Sequence, residues 1–424
     1  MNFIDLFAGA GGLSEGFIRA GFEPVAHVEM DEAACYSLKT RAVYHFLKNN
    51  DQSAIYESYL KGEITRRELY NSVPRELLGT VINSPIGEKE NNNIFEKIDN
   101  ALNGNGVDLI VGGPPCQAYS LVGRARSENN MQSDPRNYLY VQYGKYLEKY
   151  NPKLFVFENV LGLRSAGKGS YLAHMERLFD KKGYHIKISL AKAENFGVLQ
   201  KRRRLIIIGW KKELDLELPD FGDIENTIPG NVADIFSDLP NLTAGEGTDK
   251  NGEYAGILNN YLTDANIRND NDILTQHVSR PHTVQDKEIY RIAVTKWNKN
   301  EERLNYNDLP EKLKTHQNRS SFMDRFKVVA ANLSSSHTVV AHIAKDGHYY
   351  IHPDINQNRS ISVREAARLQ SFPDDFYFEG VKEGVSRTAA FKQIGNAVPP
   401  LMAQRIAESL LEILITNQLE LEAI

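Results

Sequence analysis

The sequence predicts an α/β protein: a doubly wound, mostly parallel Rossmann-like sheet with a smaller, irregular second domain. Three observations carry this. Short apolar, β-rich runs alternate with helical patterns through the first half of the chain. That pattern dissolves after about residue 211, and helical periodicity returns near residue 362. At 424 residues the chain also exceeds the usual size of one domain.

Taken in order, the strand-like runs are residues 3–7, 25–30, 109–111, 154–157 and 205–208. Between them, residues 170–182 read as a helix that Ser170 can cap, with Gly183 after its end. Residues 41–92 are polar and helical in pattern, with no strand signal, and are expected as a surface insertion. From 211 onward Asn, Asp and Gly become frequent and Pro219, Pro229 and Pro240 punctuate the chain. Ser362 and Glu365 then match a capping box ahead of a helical run. The stretch after Pro399 and Pro400 repeats apolar residues with a helical period. The expected division is 1–210, 211–355 and 356–424, the last part returning to the first domain.

Composition limits the function classes. Hydrophobic content of 41% and charged content of 25% are those of an ordinary globular protein. No apolar run approaches the roughly 20 residues of a membrane span, so a cytoplasmic protein without membrane contact is expected. Two cysteines, Cys35 and Cys116, exclude a disulfide framework and a cysteine-rich zinc module. The eleven histidines show no metal-ligand spacing, and no metal site is expected. The net charge of −5 hides a segment, residues 211–272, with fourteen acidic and four basic residues, leaving the remainder at +5. That remainder, with the basic run at 201–204, is compatible with a nucleic-acid-facing groove without itself requiring one.

The chemistry clusters at predicted strand ends, where doubly wound sheets bind ligands. The first run, with Asp5 and Phe7, enters a loop containing Gly9, Gly11 and Gly12. By itself this loop fits either a nucleotide-like ligand or a plain tight turn, because the spacing is not that of the dinucleotide fingerprint. Glu29, near the end of the next strand, favours a nucleoside, since a carboxylate there can accept hydrogen bonds from ribose hydroxyls. The third run ends in Pro114, Pro115, Cys116 and Gln117. A lone cysteine is ordinarily a small buried hydrophobe, which is the reading for Cys35. The two prolines before Cys116 fix the backbone and suit the aiming of a nucleophile. The fourth run continues into Glu158 and Asn159, so a carboxylate and a cysteine would project from neighbouring strands. Before the last run, alternation in the extended chain would send Arg202 and Arg204 one way and Lys201 and Arg203 the other.

With these motifs in place, the sequence resembles the DNA cytosine-5 methyltransferases, in particular the bacterial enzymes of restriction-modification systems. The blocks are residues 5–12, Pro114 to Gln117 with Ser120, 158–160, Gln200 with Arg202 and Arg204, 364–373, and 393–399. The resemblance implies an S-adenosylmethionine-dependent methyltransferase fold with residues 211–355 as a target recognition domain. It implies that S-adenosyl-L-methionine is held by Asp5, Phe7, Gly9, Gly11, Gly12, Glu29, Pro114 and Asn396. Catalysis would fall to Cys116, Gln117, Ser120, Glu158, Arg202 and Arg204. Cys116 would add to carbon 6 of a flipped-out cytosine, Glu158 would carry or share a proton at N3, and the two arginines would hold the nucleotide. Where the family meets the cofactor adenine with an Asp-Ile pair, this chain offers Asn93-Ile94. Candidate phosphate or guanine contacts in the recognition segment are Arg280, Lys287, Arg291, Lys296, Arg319 and Arg325. The implied partner is double-stranded DNA, bound by a monomer, with a cognate restriction endonuclease acting on the same site. Transfer RNA as substrate, a catalytically silent DNA-binding homologue, and a nicotinamide dehydrogenase are the competing readings. The last lacks its glycine spacing and leaves Cys116 unexplained.

Overall fold

The structure is a computed structural model describing residues 1–115, 138–222, 224–225 and 228–422. Cys116, Gln117 and Ser120 lie outside the described residues. Eight strands appear in the first half: β1 Asn2–Leu6, β2 Glu23–Glu29, β3 Val81–Asn83, β4 Leu109–Gly112, β5 Leu154–Asn159, β6 Tyr184–Lys192, β7 Gln200–Lys201 and β8 Arg203–Lys211. Seven form one sheet in the order β3-β2-β1-β4-β5-β8-β6. The first five pair in parallel, whereas β8 runs antiparallel to both β5 and β6. The order reverses at β1 and β4, which places a crevice beyond the carboxyl ends of these strands.

Each face of the sheet is covered, as near-continuous apolar strands require. One face packs Phe3, Val111, Val156 and Ile208 against the helix Gly12–Arg19 and the last helix, Pro400–Glu422. The other packs Ile4, Ile110, Phe155 and Ile207 against the helices Asn91–Leu102, Leu139–Tyr150 and Ser170–Lys181. A Cβ at Gly16 would lie 2.4 Å from Ala403 Cβ and 2.4 Å from the Gln404 nitrogen, so glycine lets the first and last helices touch. The last helix therefore packs against the first helix and the sheet.

Three expectations change. Residues 41–92 do contain a strand: β3 extends the sheet beyond β2, and residue 41 lies inside the helix Glu32–Asn49. Three residues, of which only Val81 and Ile82 are apolar, are too short a run to register as a strand in sequence. The helix Ser170–Lys181 starts with Gly169 as its cap, and Ser170 makes no side-chain cap bond. Residues 211–355 divide between two cores. Leu218, Phe221, Val232 and Ile235 join the sheet's own core, while Ile289, Tyr290, Leu304, Tyr306, Phe326 and Ile351 build a separate small one. Short pairs complete this part: β9 Gly247–Thr248 with β10 His277–Val278, and β11 Ser336–His337 with β7. The capping box at Ser362 and Glu365 is present in full. No helix among the described residues is long and apolar enough to cross a membrane.

Candidate active site

The glycine loop leaves β1 through a left-handed turn, with φ of 59° at Phe7, 57° at Gly9 and 84° at Gly11. Glu29 fastens it. One carboxylate oxygen accepts the Gly9 N–H at 2.8 Å, and the other accepts the N–H groups of Met30 and Asp31 at 2.8 and 2.7 Å. Burial nevertheless raises the Glu29 carboxyl above its usual range, the three N–H donors working against that rise. A Cβ at Gly9 would meet nothing within 4 Å, so the loop borders open space. A Cβ at Gly12 would lie 2.3 Å from the Val398 carbonyl. Its missing side chain thus admits the returning C-terminal segment, a packing role beside the cofactor role expected for it. Asn396, at the end of the helix Arg387–Asn396, is exposed.

Asp5 differs from its expectation. Its carboxyl is 1% exposed, and neither oxygen has a hydrogen-bond partner. Burial, reinforced by the Glu29 charge, raises its pKa well above the ordinary carboxylate value. It is a sequestered acid within the sheet. Asn93 is exposed within the helix Asn91–Leu102 and does not itself end a strand. The residue beside Glu29 is Asn83 at the end of β3, whose amide donates to the Glu29 and Met30 carbonyls at 3.2 and 3.1 Å. No sequence pattern marked it, since β3 itself was not legible. Cys35 is buried against the Glu29 carbonyl, and burial pushes its thiol up to about 12, in keeping with an inert packing residue.

At the next pair of strand ends, Glu158 leaves β5 and faces Arg204 on β8, with Nε 2.5 Å from Oε1 and both side chains slightly exposed. The antiparallel β5–β8 register brings these residues together, Asn159 lying opposite Leu205. A Cβ at Gly113 would fall 2.6 Å from Glu158 Oε2, so the β4 turn passes close beside the carboxylate. The buried Asn159 donates to the Pro114 carbonyl at 3.1 Å and pins the Pro114-Pro115 turn to the end of β5. The last described residue of that turn, Pro115, immediately precedes Cys116.

Arg202 does not accompany Arg204. The Arg202 N–H donates to the Gln200 carbonyl, kinking the chain between β7 and β8 and breaking the alternation that extended backbone would impose. Its guanidinium is 0% exposed and donates to the Val339, Gly395 and Ala397 carbonyls at 2.7, 3.3 and 2.7 Å. Gln200, equally buried, donates to the Leu369 carbonyl and accepts from the Val339 N–H at 2.8 Å. Together they lock residues 338–341 onto the helix that ends at Asn396, and a Cβ at Gly395 would lie 2.3 Å from the Ala341 nitrogen. Arg202 is thus a buried positioning residue and cannot reach a nucleotide. Arg364 is likewise internal, bonded to the Thr275, Pro373 and Phe376 carbonyls.

A strand order with a terminal antiparallel hairpin, a glycine loop bordering open space at the topological switch and a carboxylate-arginine pair define the class: an S-adenosylmethionine-dependent methyltransferase fold. Comparison with known proteins narrows it. The model for C-5 cytosine-specific DNA methylases matches residues 1–65 and 81–412, and the chain belongs to that family. Its activity is accordingly DNA cytosine-5 methylation. The unmatched stretch, 66–80, is far shorter than the insertion expected at 41–92. Among similar proteins is the Type II methyltransferase M.Bpa9945I of Bacillus paralicheniformis, 40% identical and covering 98% of this chain and 99% of its own length. Another is the Type II methyltransferase M.DdeI of Desulfomicrobium norvegicum, 31% identical over 96% of this chain and 88% of its own. The fold is shared with a protein assigned as a DNA modification methyltransferase and encoded in an E. coli prophage. That likeness has a TM-score of 0.63 and 24% identity, covering 98% and 99% of the two chains.

Proposed function

We propose that the chain methylates carbon 5 of a cytosine flipped out of duplex DNA, with Cys116 as nucleophile, Glu158 as proton carrier and Arg204 as its partner, as the modification enzyme of a restriction system. The observation that carries this reading is the Glu158–Arg204 pair set beside a turn that Asn159 pins one residue before Cys116. Carbon 5 of cytosine is a weak nucleophile. Addition of the Cys116 thiolate to carbon 6 makes the ring an enamine, and a proton held by Glu158 at N3 accepts the electron density displaced by that addition. Arg204 keeps the carboxyl aimed at the base edge, a role in which a planar guanidinium outperforms lysine. Loss of the carbon 5 proton after transfer expels the thiolate and restores the ring.

The crevice fits the cofactor. Open space over Gly9, the acceptor Glu29, and Asn83 and Met30 exposed at adjoining strand ends offer a nucleoside both polar and apolar contacts. Phe7, Gly11, Pro114 and Asn396 border the same edge. When bound, S-adenosyl-L-methionine supplies a methyl group on a sulfonium leaving group. Residues 211–355 supply the DNA-reading surface in this proposal, the relatives' designation as Type II methyltransferases pointing to a matching endonuclease. Incubation with S-adenosylmethionine and unmethylated genomic DNA, followed by bisulfite sequencing, tests it. Protected cytosines within one short recurring sequence are expected; complete conversion throughout that DNA refutes the reading.

A further inference from the structure

Beside β11 lies a partly open pocket of about 60 Å³, lined by Lys201, Trp297, Arg303, Phe326, Lys327 and His337 among others. Lys201 and Arg303 are exposed and have neither an ion-pair nor a hydrogen-bond partner for their cationic groups among the described residues. Lys327 is held by Asp324 at 2.5 Å, and the carboxylate in the lining, Glu302, faces Lys296 at 3.4 Å. His337, neutral because burial and the nearby Lys327 and Arg303 charges push its pKa down to about 4, adds no competing charge. Two unpaired cations beside the Trp297 and Phe326 rings form a site for an anion, each adding an attractive charge.

This contrasts with four of the six cations that sequence suggested for DNA contact. Arg280 is bonded to the Ile343 and Lys345 carbonyls, Arg319 pairs with Glu311, Arg325 with Asp346, and Lys296 with Glu302 and Asp308. The unpaired pair also lies close to the chemistry. Lys201 is three residues from Arg204, a span of no more than about 11 Å even in extended chain. It stands in register with His337 on the strand pair that joins the sheet to residues 336–341.

We infer that Lys201 and Arg303 clamp a single backbone phosphodiester of the DNA in this pocket, anchoring the strand beside the flipped cytosine. This rests on the function proposed above. Neither residue belongs to the catalytic pair, and both are exposed, so Lys201→Gln, Arg303→Gln and the double variant should fold with unchanged melting temperature.

The test is fluorescence anisotropy of a random-sequence duplex against each protein between roughly 50 and 200 mM salt, where each neutralised phosphate contributes about 0.9 to the slope of log K against log salt. Each single variant should lower the slope, and the double variant by about 0.9 in total, because both cations serve one phosphate. An unchanged slope overturns the inference. So does an additive loss of about 1.8, which means two separate phosphates, and so does weakening confined to one sequence, which means base reading. A wild-type protein that neither binds nor methylates any duplex would instead sink the underlying function, and the pocket with it.

Discussion

Replacing Arg202 with Met tests whether this arginine positions the site or holds the nucleotide. Methionine fills much of the same volume but leaves the Val339, Gly395 and Ala397 carbonyls without their donor. A buried carbonyl left unsatisfied costs about 1–3 kcal/mol, so three together cost about 3–6 kcal/mol after some relaxation. With an unfolding entropy near 2.1 cal/mol/K per residue, a 424-residue chain that loses about 4 kcal/mol should melt about 5 °C lower. The assay is thermal unfolding alongside DNA affinity and initial methylation rate at a temperature where the variant is folded. The expected result is a lower melting temperature, slower transfer because residues 338–341 lose their seat, and DNA affinity within a few-fold of wild type. Arg202→Lys, which restores the charge but not the fork of donors, should recover part of the loss. A variant that melts within a degree of wild type yet has lost DNA affinity would refute the positioning role and restore the nucleotide-holding one.

Other perturbations separate the remaining roles. Cys116→Ser should abolish transfer while cofactor binding, followed by calorimetry, persists; turnover at the normal rate would remove Cys116 as nucleophile. Glu158→Gln should slow transfer by about 10²–10⁴-fold with DNA binding retained, and an unchanged rate would deny it a proton role. Gly113→Ala places a methyl group 2.6 Å from the Glu158 carboxylate and should cost about 100-fold in rate with little change in melting temperature; equal rates would show that the carboxylate can move without penalty. His27 and His352 are buried and held neutral, their pKa values pushed down to about 4 chiefly by burial. The unfolded chain binds these protons near pH 6.5, so stability should be full above that pH and fall as pH drops toward 4. Each histidine contributes up to about 3 kcal/mol of that loss. A urea midpoint that stays flat between those pH values would refute this.

Much of the catalytic edge was legible in the residues. A strand that runs into glycines, a carboxylate at the end of the next strand, and prolines before a cysteine are local patterns, and local patterns survive in one dimension. So are the capping box at Ser362 and the apolar period of the last helix, because both depend on neighbours within a few residues. Alternation, by contrast, is a rule for unbroken strands, and a single backbone bond from Arg202 to Gln200 was enough to send two arginines to different places. Asn83 could not be found because its strand has only three residues and is defined by β2, not by itself.

The sequence alone therefore determined the class of fold, the family and the chemical types present at each strand end. Only the tertiary structure decided which charges are free to act. Arg204 meets Glu158, Arg202 is consumed by buried carbonyls, Asp5 is sealed into the sheet, and Arg325, Arg364 and Arg368 are held by partners distant in the chain. The physical reason is that burial and pairing are set by long-range neighbours, and those neighbours decide whether a charged side chain holds the fold together or faces a substrate.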